Sequence, residues 1–394
     1  MGDKQPTNTK EKQVSYHQQS FLSDDFIIDE ILTRLPVKSI LRFKSVSKQW
    51  YSTLSSSKFA TFHLMKFPLF HPSAPVNTLF IESDNNFYLF SDDDDDDDDQ
   101  IPCKLEDKLV KLEVDFDVEN NLNLTGCCNG LVCLSQHKGE YFLLWNPATR
   151  KLHKYLSDGY LKSLGGYYIA HGFGYASSDD DYKYVRILTR VLGRGLDSNI
   201  IHIFSLAKNK WRKIEFDHVF FPYGKPMLLD EKLYWVSLIE HVGSVIVCFD
   251  LGIEKFDIIK LNMLTGFAYL VAMEGRLSDF KYDGTYSSDE LKLIQIQGTS
   301  ITIEKSIDLS KEMRLDGESQ MIGYTKTGSF FVAGNSQDVD IDVVEERRLW
   351  RKRLWLVDTS MKPMQCTTLL NGDRPINIAR YVPSLVSPFP IEES

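Results

Sequence analysis

The chain of 394 residues is 43% apolar and 12% aromatic, which suits one large core or two domains and excludes global disorder. Asp92 to Asp99 supply eight of the negative charges behind the formal −10, so the rest stands at −2 and offers no basic footprint for nucleic acid. Six cysteines, with Cys127 beside Cys128 and Cys133 close by, make no secretory disulfide framework.

No signal-peptide core opens the chain, and no run approaches the roughly 18 apolar residues of a membrane span. These features predict a cytoplasmic and/or nuclear protein without a membrane partner. Residues 1–20 read as a polar, disordered tail, and residues 21–66 as a compact helical module. Asp24 and Asp25 supply capping oxygens and negative charge at a helix start. Ile28, Ile31, Leu32 and Leu35 then fall at i, i+3, i+4 and i+7, one apolar stripe. Pro36 ends that helix. Ile40, Leu41 and Phe43 mark a second short helix. Val46, Trp50 and Leu54 mark a third, with Ser47 at its cap, and Phe59, Phe62 and His63 fill a last turn before Pro68. So small a module does not bury this many large side chains alone, and the pattern therefore predicts a partner surface, with a cap packed on the chain's own body as the alternative.

The residues Ile31-Leu32, Arg34-Leu35-Pro36, Val37 to Lys44, Val46-Ser47-Lys48, Trp50, Phe59 and His63-Leu64 resemble the F-box. One departure is Leu22-Ser23, where members of that family often have Leu-Pro. The resemblance implies docking onto a Skp-type adaptor and through it a cullin. Its adaptor-contact candidates are Ile31, Leu32, Leu35, Pro36, Ile40, Leu41, Val46 and Trp50.

Three prolines and no periodicity at 67–75 read as a linker. From residue 76 the texture changes to short apolar runs separated by Gly, Asn, Asp or Pro, which predicts an all-β body over 76–388 and a tail at 389–394. A unit recurs at Trp145, Phe204, Phe249 and Val357. In each, an apolar residue is followed by Asn, Ser or Asp, a turn with a basic residue, and another apolar residue seven positions on. That is a hairpin whose polar side chain bonds its own turn. Spacings of about 45–60 residues, with a degenerate copy expected at 289–306, fit propeller blades of four strands. The predicted fold class is α+β by domain: a small all-α module, then an all-β, propeller-like domain of six or seven blades. Ring closure pairs strands from 76–113 with 378–387, and Phe90-Ser91 begins a hairpin whose tip carries the aspartate run at 92–99, an acidic disordered insertion. A β-sandwich is the rival architecture.

Cys128-Asn129-Gly130-Leu131-Val132-Cys133-Leu134, Trp145 to Arg150, Gly172-Phe173-Gly174-Tyr175 and Asp180 to Ile187 resemble the kelch-like F-box-associated domain of plant F-box proteins. The ending Tyr381-Val382-Pro383-Ser384-Leu385-Val386-Ser387 is similar to that of the S-locus group, a resemblance that implies a pistil ribonuclease among conceivable targets. The function implied is a non-catalytic substrate receptor of an SCF-type ubiquitin ligase, with a propeller enzyme or a ligase-independent scaffold as alternatives.

No HExxH helix, G-x-S-x-G elbow or P-loop is present, and no cofactor is implied. Gly172-Phe173-Gly174 reads as a turn, lacking the third glycine of a dinucleotide fingerprint. Cys127, Cys128 and Cys133 lack a second pair at zinc spacing and read as strand thiols. Asp179 to Asp181 read as a solvated turn, and His171, His202 and His218 show no partner. Tyr160, Tyr167, Tyr168, Phe220, Phe221 and Tyr223 fall in loop-like stretches and suggest either a binding face or inter-blade core.

Overall fold

The computed structural model describes residues 23–70, 78–83, 86–91, 109–114, 122–136, 138–159, 167–193, 195–260, 268–273, 276–282, 290–297, 300–308, 320–324, 330–337, 350–357, 363–367 and 377–389. The predicted tail at 1–20 and the aspartate run at 92–99 lie outside these residues.

The module opens with a helical segment of changing pitch. An α turn (α1, Asp24–Phe26) runs into a π turn at Ile27–Ile31 and a 3-10 turn at Leu32–Arg34. Ser23 caps it, its hydroxyl accepting the Phe26 N–H at 3.3 Å. In the π turn the Leu32 N–H reaches back five residues to the Ile27 carbonyl. That extra residue shifts the helical phase. Ile28 and Leu32 stay buried, while Ile31 leaves the expected stripe and is 39% exposed. Leu35 is extended ahead of Pro36, as the proline ring requires. Then come α2 (Val37–Phe43), α3 (Lys48–Ser55) and α4 (Ser57–Phe70). Ser47 and Ser56 cap the last two, accepting from the Trp50 and Phe59 N–H groups. Val46 precedes the Ser47 cap and so belongs to no helical stripe. Helix α4 continues beyond the expected boundary at 66, with Pro68 inside it.

The β body is a closed ring. Among the described residues, six four-stranded antiparallel sheets follow one another. The first combines β1 (Thr78–Ser83), β2 (Asn86–Ser91) and β3 (Leu109–Leu112) with the C-terminal β24 (Asn377–Arg380). Next come β4 (Leu122–Cys128), β5 (Leu131–Gln136), β6 (Tyr141–Asn146) and β7 (Lys151–Leu156). Blade three holds β8 (Tyr167–Ala176), β9 (Asp181–Leu192), β10 (Gly195–Ser205) and β11 (Lys210–Ile214). Blade four holds β12 (Phe221–Leu229), β13 (Lys232–Ile239), β14 (Gly243–Asp250) and β15 (Lys255–Lys260). Blades five and six begin with β16 (Ala268–Met273) and β20 (Gln320–Tyr324). The innermost strands β24, β4, β8, β12, β16 and β20 touch in that order, and β20 touches β24 again. Six blades therefore complete the circle. Closure comes from Leu79 paired with Arg380 through Glu82 paired with Asn377. It removes the open edges that a linear sheet would leave.

The recurrent unit is the hairpin between the third and fourth strands of each blade. Trp145 faces Leu152, Phe204 faces Trp211, and Phe249 faces Phe256. The Thr149 and Lys208 N–H groups donate to Asn146 Oδ1 and Ser205 Oγ, while those of Gly252 and Ile253 donate to Asp250 Oδ1. The expected degenerate copy falls between β18 (Glu290–Gln297) and β19 (Ser300–Asp308), and Phe90 pairs with Leu109 across the span holding the aspartate run.

Gly172-Phe173-Gly174 is not a turn: it lies in mid-strand in β8. A Cβ on Gly172 would come within 2.8 Å of Leu233 and Trp235, and one on Gly174 within 2.5 Å of Leu251. These glycines let blades three and four close on a core that includes Val185, Ile187, Trp235 and Phe249.

Candidate functional site

Strand polarity gives the ring two faces. On the lower face the inner strands end; it carries the recurrent hairpins and receives the chain from the helical module at Thr78, beside Arg380. On the upper face the inner strands begin. The module packs below, since Ala148 of the β6–β7 hairpin and Leu385 join its apolar cluster.

Burial divides the eight residues expected at an adaptor surface. Leu32 and Ile40, at 2% and 0% exposure, are interior with Ile28, Val37, Leu54 and Phe59, and they shape the module rather than present a surface. Leu35, Leu41 and Trp50 are half-buried, with Trp50 edge-on to Phe43 at 6.0 Å. Ile31, Pro36 and Val46 are exposed. Phe26, Tyr51, Met65 and Leu69 extend the exposed apolar set, although sequence periodicity did not single them out.

His63 is a further residue whose role the spacing did not reveal. It is 1% exposed, lies against Phe59 and Phe67, and its Nε2 donates to the Leu35 carbonyl at 2.8 Å. That bond holds the turn before Pro36 from 28 residues away. Burial pushes the imidazole below its usual pKa, opposed by the Leu35 bond. Around this turn, Glu30 pairs with Arg34 at 2.8 Å and Lys66 at 3.1 Å, and the Lys66 and Arg34 hydrogen bonds hold its carboxyl below the usual range.

On the upper face, aromatic and aliphatic side chains gather over blades three and four. Tyr168 lies 4.5 Å from Phe221, which meets Tyr223 edge-on at 5.2 Å. Beside them the β9–β10 hairpin exposes Val191 and Leu192, and the β13–β14 hairpin exposes Val242. Tyr167, Tyr168, Phe221 and Tyr223 stand on inner strands rather than in loops, which gives the cluster a rigid base. Phe220 is fully buried core, whereas Tyr160 lies outside the described residues.

The histidines on β8 and β10 do have partners. Tyr184 Oη lies 2.6 Å from His171 Nδ1, and Arg186 Nη2 lies 2.7 Å from His202 Nδ1. Arg186 is wholly buried between blades two and three. It bonds Asp158 at 2.9 Å and Ser157 at 2.6 Å, with its guanidinium over Trp211 at 4.5 Å. Burial and then the Arg186 charge lower the His202 pKa, opposed by Asp158, whose Oδ2 lies 3.0 Å from the same Nδ1. Burial works to raise the Asp158 carboxyl, but Arg186 and His202 outweigh it and hold it low. Between blades three and four, buried Lys183 bonds the Leu251 carbonyl, Asp179 and Glu254. Asp181 is also buried and accepts the Ala207 N–H, so of the expected acidic turn only Asp179 and Asp180 are exposed. Arg186 and Lys183 are joints between blades, whereas the His171–Tyr184 and Asp181–Ala207 bonds lie within blade three. Burial pushes the Cys128 thiol up to about 12, and raises those of Cys127 and Cys133. They are poor nucleophiles. Among the described residues, no three His, Cys, Asp or Glu side chains cluster to hold a metal ion.

A family model described as an F-box associated beta propeller domain matches residues 77–341, and one for the F-box domain matches residues 22–62. An F-box protein of Arabidopsis thaliana, CPR1, is 28% identical over 261 residues, covering 59% of each chain. An F-box/kelch-repeat protein of the same plant is 26% identical over 240 residues, 58% of this chain and 63% of its own. The chain thus spans about three fifths of the length of these relatives. Among solved structures, a luciferin-regenerating enzyme superposes with a TM-score of 0.41 at 12% identity, over 74% of this chain and 91% of that one.

Proposed function

The chain belongs to the F-box-associated β-propeller family and carries an F-box ahead of that domain, and from this premise we propose that it is the substrate-recognition subunit of an SCF-type cullin ubiquitin ligase. The F-box docks a Skp-type adaptor; the propeller holds a protein target, in the cytoplasm and/or nucleus. It performs no chemistry itself and acts by raising the effective concentration of target lysines near the transfer machinery. One observation carries the reading: the F-box keeps a closed core around Ile40 and Leu54 yet leaves Ile31, Val46, Tyr51 and Met65 exposed. Exposed apolar side chains grouped on so small a module mark a protein interface. The cluster of Tyr168, Phe221 and Tyr223 on the opposite face, where Leu192 is also exposed, supports a second interface for the target. The relatives give no support to a pistil ribonuclease as that target.

The test is capture of a recombinant plant Skp-type adaptor with its cullin by the full chain and by an Ile31→Asp, Val46→Asp double variant. We expect binding by the first and a loss of about a hundredfold, or roughly 2.7 kcal/mol, in the second, with an unchanged unfolding midpoint. Capture by neither removes the receptor reading, and equal capture by both removes Ile31 and Val46 from the docking surface.

A further inference from the structure

The segment that follows the closing strand does more than end the ring. It leaves β24 on the lower face and runs along blade two as far as Phe389. Tyr381 enters the core between blades one and two beside Phe87, Leu124 and Trp145. Asn146 then clamps the segment, its Nδ2 donating to the carbonyls of Ser384 at 3.0 Å and Val386 at 2.8 Å. Ser384, fully buried, donates its hydroxyl to the Asn129 carbonyl at 2.5 Å and accepts the Val386 N–H. Farther on, Tyr155 Oη donates to the Pro388 carbonyl at 2.7 Å, and Phe389 packs edge-on to His153. In extended backbone, neighbouring side chains point to opposite sides. Ser384 and Val386 accordingly face the blade, and Leu385 between them faces the other way. It is 8% exposed, inside the F-box cluster of Ile28, Leu32, Val37, Ile40 and Leu54.

Gly130 fits the same arrangement. It has φ +77°, and a Cβ there would stand 2.3 Å from Ser384 Oγ. The Asn129-Gly130 turn and the Asn146 hairpin, widely separated from residues 384–386 in sequence, together form a groove for them.

We propose that Tyr381–Phe389 is a positioning strap and Leu385 its key residue: fixed to blade two on one side and inserted into the F-box on the other, it holds the adaptor-binding module at one orientation to the upper face of the propeller. A ligase receptor needs that orientation because a tether raises effective concentration only over the region its geometry can reach. The use in ubiquitin transfer rests on the receptor reading above, whereas the rigid coupling rests on these contacts alone.

The experiment measures distance on the full chain bound to the adaptor, between spin labels carried by unnatural amino acids at Lys58 on α4 and His241 on the upper face, both exposed. Wild type gives one narrow distribution. Leu385→Asp, and separately a chain ending at Val382 that keeps β24, should each widen it about twofold while leaving ring unfolding cooperative and adaptor capture within about threefold. Leu385→Met should restore the narrow distribution. The proposal is overturned if either altered chain keeps the narrow distribution. It is also overturned if both lose cooperative ring unfolding, since the segment would then be part of the ring's own fold. Failure of adaptor capture by wild type would reject the receptor reading, and the same distances measured on the free chain would still decide the strap.

Discussion

Between residues 23 and 70 the helical module exposes Phe26, Ile31, Val46, Tyr51, Met65 and Leu69; the ring exposes the same number of large apolar side chains across the much longer stretch from 122 to 260. The ring can bury the rest because each blade has a neighbour on both sides. Strand β9 shows the consequence: from Tyr184 to Thr189 every residue is buried, with Val185 and Ile187 toward blade four and Tyr184 and Arg186 toward blade two. The module has only its opening helical segment, α2, α3, α4 and the touch of Leu385 and Ala148 with which to cover itself. Repeated architecture closes a core from within, whereas a short helical module is completed by something outside it.

That contrast is sharpest in substitutions of one residue type at different depths. Ile40→Ala empties a fully buried site and should cost about 2–5 kcal/mol, unfolding the module first in a urea titration. Ile31→Ala, on the exposed side, should stay within about 0.5 kcal/mol. Comparable losses at both positions would end the distinction between core and face.

In the ring, Gly174→Ala forces a methyl against Leu251 and Leu228 at the joint of blades three and four. The expected cost is about 1–3 kcal/mol, read as a lower unfolding midpoint with undiminished adaptor capture. His63→Phe removes the hydrogen bond to the half-buried Leu35 carbonyl and should cost about 1–3 kcal/mol. It should weaken adaptor capture as well, because the Leu35-Pro36 turn loses its support, and His63→Gln should recover most of both. Unchanged capture by His63→Phe would show that the turn needs no such support.

The smallest effect is on pH. Burial lowers the pKa of both His63 and His202 in the folded chain. Below the ordinary histidine value of about 6.5 the unfolded chain therefore takes up protons that the folded chain refuses. More protons on the unfolded state means stability falls as pH drops from there through the lowered folded values. His202→Asn keeps an acceptor for Arg186 and removes one of these protons, so the slope of unfolding free energy against pH should flatten below about 6.5. An identical slope would place the acid sensitivity elsewhere.

Much of this was legible in residue order. The hairpin unit at Trp145, Phe204 and Phe249 appears in the register predicted, since an Asn, Ser or Asp that bonds its own turn is local chemistry. Ring closure by residues after 377 also followed from the need to remove edges. The errors share a cause. Gly172-Phe173-Gly174 reads as a turn only if the neighbouring blade, whose close approach leaves no room for side chains at the two glycines, is ignored. Ile31 was placed on one stripe with Ile28 and Leu32 because a constant pitch was assumed, and the π turn takes it off that stripe and leaves it exposed. The partners of His171 and His202 lie across a sheet, where spacing along one strand gives no hint.

The sequence by itself determined the two kinds of structure, the hairpin period and the closing strand, since periodicity and turn chemistry act over a handful of residues. Only the tertiary structure decided that Leu385 enters the helical module, that Gly130 makes room for Ser384, and that Tyr168, Phe221 and Leu192 share one face. Those outcomes depend on which distant surfaces meet and how closely, and close packing is settled by three-dimensional fit rather than by residue order.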